Sequence, residues 1–394
     1  MKIKQAIILA GGRGTRLAPF TDTSPKPMVP ICGKPFLEHL LLLLKENGIE
    51  EVVLLLGYKS DQIQDYFKDG KEFGVRILYS VMPVEDDTGT RVRKAEKLLQ
   101  SEFLLLYADN YWPLNLERLQ AFHEEKEVVG TVTVFKNEKK IGRDNIRVNR
   151  SGFVDLYDNS RTNETANGVE IGFMILRKKV LEYMPEENFS FNDVITSLVK
   201  DGELAGYVTS QKYYSVGSPD RLRATTEFLS PRHVLFLDRD GVINVRPPQG
   251  EYVTTWENFE FLPPALSALK LLKDQGFEVY IISNQPGVVR GAMTLKDLED
   301  INERFLEAVE RNGGEVHGIY QCLHDREEGC ACRKPAPGLF FTAADGHNIN
   351  LSLSWFIGDD ERDEVAGTAA GVKTILIPSN GDLYAAVKKI ILSE

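Results

Sequence analysis

Residues 235–244 read LFLDRDGVIN, an apolar run that ends at Asp238 with Asp240 two positions on. In an extended chain, side chains at i and i+2 face the same way, so both carboxylates aim into one cleft. Two like charges that close need a cation between them or a proton on one of them. Mg²⁺, a hard ion that prefers oxygen ligands, suits the place. A solvated turn would use the same residue types, since Asp and Gly are turn formers. Three further segments weigh against the turn. IISNQPG puts Ser283 and Asn284 where a hydroxyl and an amide can hold phosphate oxygens. CRKPAPG supplies Lys334, a point charge for a phosphoryl group. FIGDDERDEVAG adds Asp359 and Asp363, which complete a site for a divalent ion.

A second cluster lies close by. Of the 4 cysteines in the chain, Cys322, Cys330 and Cys332 share one loop with His324, in the pattern C-x-H-x5-C-x-C. Three thiolates and one imidazole suit tetrahedral Zn²⁺, and a shell filled by protein is structural rather than catalytic. Incidental cysteines are the alternative, but tightly spaced Cys/His clusters in cytosolic proteins are usually metal sites. C-x-C is also not the C-x-x-C redox spacing. The loop runs straight into Arg333 and Lys334, so the metal would rigidify the segment that presents them.

Near the N-terminus the string LAGGRGTRLAPFTDTSPKPMVP starts at Leu9. Gly11, Gly12 and Gly14 let the backbone approach a triphosphate, and exposed N–H groups there, running on to Thr15, can bind its oxygens. Arg16 and Lys26 add charge for a pyrophosphate leaving group. Alone, GGRG would be a generic turn.

The elements that must position these residues are nearly continuous apolar runs at 51–57, 103–109, 130–135, 278–284 and 354–360, alternating with helical patterns at 35–47, 264–275 and 295–312. Strands buried on both faces read this way, and ligands bind at their carboxyl ends. Both halves are therefore α/β. A length of 394 residues suits two cores rather than one. Pro231 should stop the preceding helix at Ser230, so the boundary falls there: 1–230 and 231–394. A formal charge of −11 argues against nucleic acid and anionic membrane as partners. The opening apolar run is short and ends in glycines, which marks a buried strand rather than a signal peptide, and no run is long enough to span a bilayer. The expected compartment is the cytoplasm.

In order, spacing and strand context the four C-terminal segments resemble the haloacid dehalogenase superfamily of phosphatases, from residue 232 to about 380. That resemblance implies a Rossmannoid domain in which Asp238 is the nucleophile and Asp240 the general acid and base. It implies Mg²⁺ held by Asp238, the backbone carbonyl of Asp240, and Asp359, with Asp363 supporting the site. Ser283, Asn284 and Lys334 would stabilise the transferring group. With LDRDGVIN, SNQPGVVRG and the CACRKPAPG loop together, the half is similar to the D-glycero-D-manno-heptose 1,7-bisphosphate 7-phosphatase family, and a related branch acts on histidinol phosphate. Arg290 and Arg333 then become substrate-holding residues. Asp360 stands where that family usually has lysine, and Ser283 where it has threonine.

Residues 3 to about 228 resemble the sugar-1-phosphate nucleotidyltransferases, which implies a Rossmann-like mixed sheet with helices on both faces. By that resemblance Asp109 in YADN holds Mg²⁺, Glu170 in GVEIGFMIL meets sugar hydroxyls, and Gly89 in TGT lies near the nucleotide. Three departures stand out: Ser215 in place of a second metal-binding aspartate, Asp158–Arg161 in place of a lysine, and Arg91 in place of a small residue. Jointly the two resemblances imply a bifunctional enzyme. It would remove the 7-phosphate of a heptose 1,7-bisphosphate and transfer a nucleotide from a triphosphate, GTP by likeness to heptose guanylyltransferases, to the heptose 1-phosphate formed. The alternatives are an N-terminal half that only binds or scaffolds, and a phosphatase for histidinol phosphate or another phosphomonoester.

Overall fold

The computed structural model describes residues 2–137 and 143–393. It divides into two compact units, Met1–Ser230 and Pro231–Glu394. The helix Pro219–Leu229 ends there because Ser230, which precedes a proline, adopts extended geometry (ψ 136°).

The first unit is built on a seven-stranded sheet. Its strands are β1 (Gln5–Ala10), β2 (Glu51–Leu56), β3 (Arg76–Val81), β4 (Glu102–Tyr107), β5 (Gly130–Phe135), β6 (Val169–Arg177) and β7 (Leu204–Thr209), in the spatial order β7-β5-β6-β4-β1-β2-β3. Only β6 runs against its neighbours; the other pairings are parallel. Alternate side chains feed opposite cores, as strand geometry demands. Ile8, Leu54 and Leu104 join one core with the helix Phe36–Glu46. Ile7, Val53 and Leu105 join the other with the helix Phe191–Lys200. Each such fully buried aliphatic side chain is worth roughly 1.5–3 kcal/mol against exposure.

The second unit holds a five-stranded parallel sheet of β8 (His233–Leu237), β9 (Phe277–Asn284), β10 (Gly318–Cys322), β11 (Trp355–Gly358) and β12 (Lys373–Leu376), ordered β10-β9-β8-β11-β12. Here too the register splits the strands, with Leu235, Ile281 and Ile357 on one face and Phe236, Ile282 and Phe356 on the other. Parallel strands all end on the same edge, so Asp238, Asn284, Cys322 and Asp359 emerge together. Among the described residues no helix is long and apolar enough to cross a membrane.

Candidate functional site

In the second unit the strand-end residues converge on a cation. Lys334 is 3% exposed. Its Nζ lies 2.9 Å from Asp238 Oδ1 and 2.7 Å from Asp363 Oδ1, and donates to the Ile282 carbonyl at 3.0 Å. Burial alone would push this ammonium down, but Asp238 and Asp363 raise it above the usual lysine range and keep it charged. Burial pushes Asp238 up, Lys334 opposes that, and neighbouring Asp363 adds to it.

Asp363 is held from the other side by helix capping. Asp360 and Asp363 form a capping box on Glu361–Ala370, so Asp363 Oδ2 accepts from the N–H groups of Asp359 (3.1 Å) and Asp360 (3.2 Å). Its other oxygen is thereby aimed at Lys334.

Asp238, Asp359 and Asp363 each place one carboxylate oxygen within 4.8 Å of the others. Asp359 Oδ1 is buried and has no hydrogen-bond partner. A buried anionic oxygen without a donor is costly, and a hard divalent cation would meet its need, so the donor set fits Mg²⁺. Gly241 makes the close approach possible. Its φ is +92°, and a Cβ there would lie 1.9 Å from Asp359 Oδ2.

Asp240 is clamped separately. Arg239, 2% exposed, donates to it through Nε (3.2 Å) and Nη2 (3.0 Å), with Asn244 at 2.9 Å and Gln285 at 2.7 Å. Burial pushes this carboxyl up, but Arg239 and the two amides overcome burial and hold it below the ordinary range. The i, i+2 argument misses Arg239 because β8 stops at Leu237, so strict alternation does not carry through to Asp240. Gln285 also donates to Ser283 Oγ at 2.8 Å, which links the hydroxyl to Asp240.

Both carboxylates, Ser283, Asn284, Arg290, Arg333, Lys334 and Asp363 line one cavity of 580 Å³. Asn284 spends its amide on the backbone of Lys334, donating to its carbonyl and accepting from its N–H, each at 3.1 Å. It positions the lysine loop. Arg290 is paired with Asp325 at 2.7 and 2.6 Å and with Tyr252 at 2.8 Å. Arg333 donates to the His324 carbonyl at 3.1 Å. Asp360, at the position of the expected lysine, lies between Arg246 (2.8 Å) and Arg362 (2.8 Å), so two guanidinium groups stand at this edge of the cavity. Arg246 stands two residues beyond the LFLDRDGVIN motif, but its pairing is invisible in sequence because Asp359 and Asp360 lie more than a hundred positions away.

The cysteines stay free. Cys332 Sγ lies 3.3 Å from Cys322 Sγ, 3.4 Å from Cys330 Sγ and 3.2 Å from His324 Nδ1, while Cys322 Sγ is 3.6 Å from both Cys330 Sγ and His324 Nδ1. A tetrahedron of ligands at ~2.3 Å from zinc has edges of roughly 3.5–3.8 Å; two of these separations fall in that range and three lie a few tenths of an ångström inside it, so the four donors are gathered about as one ion requires.

In the first unit Leu9, Gly11, Gly12, Gly14, Lys26 and Asp109 line a 340 Å³ cavity. Lys26 Nζ lies 2.6 Å from Asp109 Oδ2. Thr15 opens the short turn Thr15–Leu17 away from the lining, and the side chain of Arg16 lies outside what is described. Gly89 packs on Phe189, whose ring a Cβ would meet at 2.2 Å, while its neighbour Thr88 lines the cavity. Glu170 sits beyond the lining, its carboxylate accepting from the Gly172 N–H, and burial pushes it up to about 7. Ser215 pairs with Asn110 in a short antiparallel ladder. Arg161 donates to the Arg143 carbonyl at 2.8 Å.

The family model for nucleotidyl transferases matches residues 5–231, and one for HAD-hydrolase-like proteins matches 331–389. The chain is 42% identical over 156 residues, 39% of its length and 88% of the relative's, to a D-glycero-beta-D-manno-heptose-1,7-bisphosphate 7-phosphatase of Helicobacter pylori. It is 31% identical over 229 residues, 55% of its length and 96% of the relative's, to a D-glycero-alpha-D-manno-heptose 1-phosphate guanylyltransferase of Campylobacter jejuni. A probable glucose-1-phosphate cytidylyltransferase of Bacillus subtilis is 32% identical over 227 residues, 52% of this chain and 87% of its own. In fold, the chain is similar to the solved HddC of Yersinia pseudotuberculosis, with a TM-score of 0.50 at 24% identity, over 57% of this chain and 99% of that one.

Proposed function

Because the chain belongs to the nucleotidyl transferase family through residues 5–231, and to that of the D-glycero-beta-D-manno-heptose-1,7-bisphosphate 7-phosphatases through its likeness to them, we propose that it is a bifunctional enzyme of sugar-nucleotide synthesis. One activity hydrolyses the 7-phosphate of heptose 1,7-bisphosphate. The other transfers a nucleotidyl group, guanylyl in this reading, to heptose 1-phosphate. The observation that carries it is Lys334 bridging Asp238 and Asp363 in a cavity rimmed by arginines.

In the first reaction a carboxylate oxygen of Asp238 attacks phosphorus, and the bond from phosphorus to the C7 oxygen breaks. Asp240 gives that oxygen a proton, so it must carry one in the substrate complex against the pull of Arg239, Asn244 and Gln285, which hold the free carboxyl below the ordinary range. Water then attacks the aspartyl-phosphate while Asp240 takes its proton, which releases inorganic phosphate and restores Asp238. Lys334 lies beside the nucleophile to balance charge on the transferring group, and Asn284 keeps the lysine there. Magnesium held by Asp238, Asp359 and the Asp240 carbonyl would offset charge between nucleophile and phosphoryl oxygens. A zinc ion on Cys322, His324, Cys330 and Cys332 would fix the loop carrying Arg333 and Lys334. In the second reaction a sugar-phosphate oxygen attacks the α-phosphorus and pyrophosphate leaves. Lys26, now paired with Asp109, would turn to the phosphates, and Asp109 to a magnesium ion.

The two reactions join only if they share an anomer, and the relatives' names give beta for the phosphatase and alpha for the guanylyltransferase. The test is phosphate release from both anomers of the bisphosphate, and pyrophosphate release from both anomers of heptose 1-phosphate with each of the four common nucleoside triphosphates. The reading expects one anomer to serve both steps, loss of phosphate release in Asp238→Asn, and loss of pyrophosphate release in Lys26→Ala. No pyrophosphate above the Lys26→Ala level with any nucleotide would leave a phosphatase joined to a binding module. A higher kcat/KM on histidinol phosphate would reassign the substrate.

A further inference from the structure

Arg91, on the helix Thr88–Lys94, is 3% exposed, yet its hydrogen bonds all go to main-chain carbonyls. Nε donates to Asp86 at 2.9 Å, Nη1 to Leu56 at 2.7 Å, and Nη2 to Pro83 at 2.7 Å and Val84 at 3.3 Å. The guanidinium lies against the glycine turn. A Cβ on Gly11 would fall 2.4 Å from Cζ of Arg91, and one on Gly57 would fall 2.8 Å from Nη2. Gly11 in turn accepts from the Tyr58 N–H at 3.1 Å through its carbonyl. The planar fork thus joins three pieces of chain: the end of β2 at Leu56, the glycine turn after β1, and the segment Pro83–Asp86 opposite that turn. Val84, Asp86, Gly11 and Arg91 itself all line the 340 Å³ cavity. A guanidinium stays charged even when buried; its donors go to neutral carbonyls, and the nearby carboxylates of Asp86, Asp87 and Glu85 offset its charge only from a distance.

We infer that Arg91 is a positioning residue for nucleotide binding. It sets the width of the cavity by fixing Pro83–Asp86 against the glycine turn, and it places a permanent positive charge behind the Gly11 backbone, where the phosphates of a nucleoside triphosphate would lie. The inference rests on the proposed nucleotidyl transfer for the identity of the ligand. It predicts an effect on the nucleotide alone, since the contacts named lie on the loops around the glycine turn and not near Glu170.

The test uses the full chain with the magnesium salt of GTP as probe, and with CTP, UTP and ATP where GTP does not bind. Calorimetry gives Kd, and pyrophosphate release gives kcat and KM for each substrate. Arg91→Met removes charge and tether; Arg91→Lys keeps the charge but can satisfy fewer of the carbonyls. The expected result is a tenfold or greater rise in nucleotide Kd and KM for Arg91→Met, a smaller rise for Arg91→Lys, and a KM for heptose 1-phosphate within twofold of the parent. Phosphate release by the second unit should be unchanged in both and reports an intact chain. If Arg91→Met does not fold, the Arg91→Lys comparison decides. Unchanged nucleotide Kd in the folded variants overturns the inference, as does an equal rise in KM for both substrates or a fall in kcat alone. Binding of nucleotide by the parent without any pyrophosphate release would overturn the transferase reading and leave the role of Arg91 to the Kd comparison. Failure of the parent to bind any of the four nucleotides would overturn both.

Discussion

Lys334 shows how much one buried charge depends on its neighbours. Its ammonium sits between two carboxylates, so replacing it by methionine leaves Asp238 and Asp363 facing each other without a counter-ion. Stranding a buried charge in this way costs about 3–5 kcal/mol. Lys334→Met should therefore lose phosphate turnover and also lower the unfolding temperature of the second unit, which calorimetry would separate from the first. An unaltered melting profile would contradict the buried bridge. The residue types of this site are legible in the sequence because three of the four motifs, at Asp238, Asn284 and Asp359, stand at the end of an apolar strand. The bonds that Asn284 and Arg290 already make are not, since both depend on loops distant in sequence, Lys334 for one and Asp325 with Tyr252 for the other. Arg91, which stands where the family pattern has a small residue, packs its guanidinium against Gly11 at the wall of the cavity.

Among the elements, the loop from Cys322 to Lys334 carries the most. It leaves β10, gathers four metal donors, and returns Lys334 to the end of β9 through the Asn284 amide. Stripping metal with a chelator should lower the stability of the second unit and slow phosphate release even with magnesium in excess, and added zinc should restore both. Elemental analysis that finds no zinc in folded, active protein would contradict this. The helix Leu116–Lys126 offers a different test. His123 is fully buried on it, its Nδ1 is 2.7 Å from Thr131 Oγ1, and its Nε2 has no partner. Burial, helped by Arg177, lowers its pKa from 6.5 to about 4. Between those values the unfolded chain binds the extra proton, so the contribution is complete above pH 6.5 and drains away as pH falls toward 4. The loss is on the order of 2–3 kcal/mol. Urea unfolding at pH 7 and pH 5 should show the first unit weaker at pH 5, and His123→Gln should flatten that difference. The helix and strand periods were plain in sequence to within a residue or two at most ends; the burial of this histidine was not, because a lone His carries no periodic signal.

At the scale of the molecule, each unit has its own two-faced sheet and its own cores, and each places its candidate residues at the carboxyl edge of that sheet. The alternation of apolar runs with amphipathic helices made both α/β units legible, and the proline after Ser230 marked the join. The antiparallel run of β6 within the first sheet has no counterpart in local sequence, because strand direction is set by which neighbours the chain reaches. The account stands on one chain performing two reactions in order. Its most direct test is to supply heptose 1,7-bisphosphate, GTP and magnesium to the parent and to Asp238→Asn, following phosphate and pyrophosphate together. The parent should release phosphate first and then pyrophosphate. The variant should release neither from the bisphosphate, yet give pyrophosphate when handed heptose 1-phosphate. Pyrophosphate formed by the variant from the bisphosphate, or phosphate release at the parent rate, would contradict it.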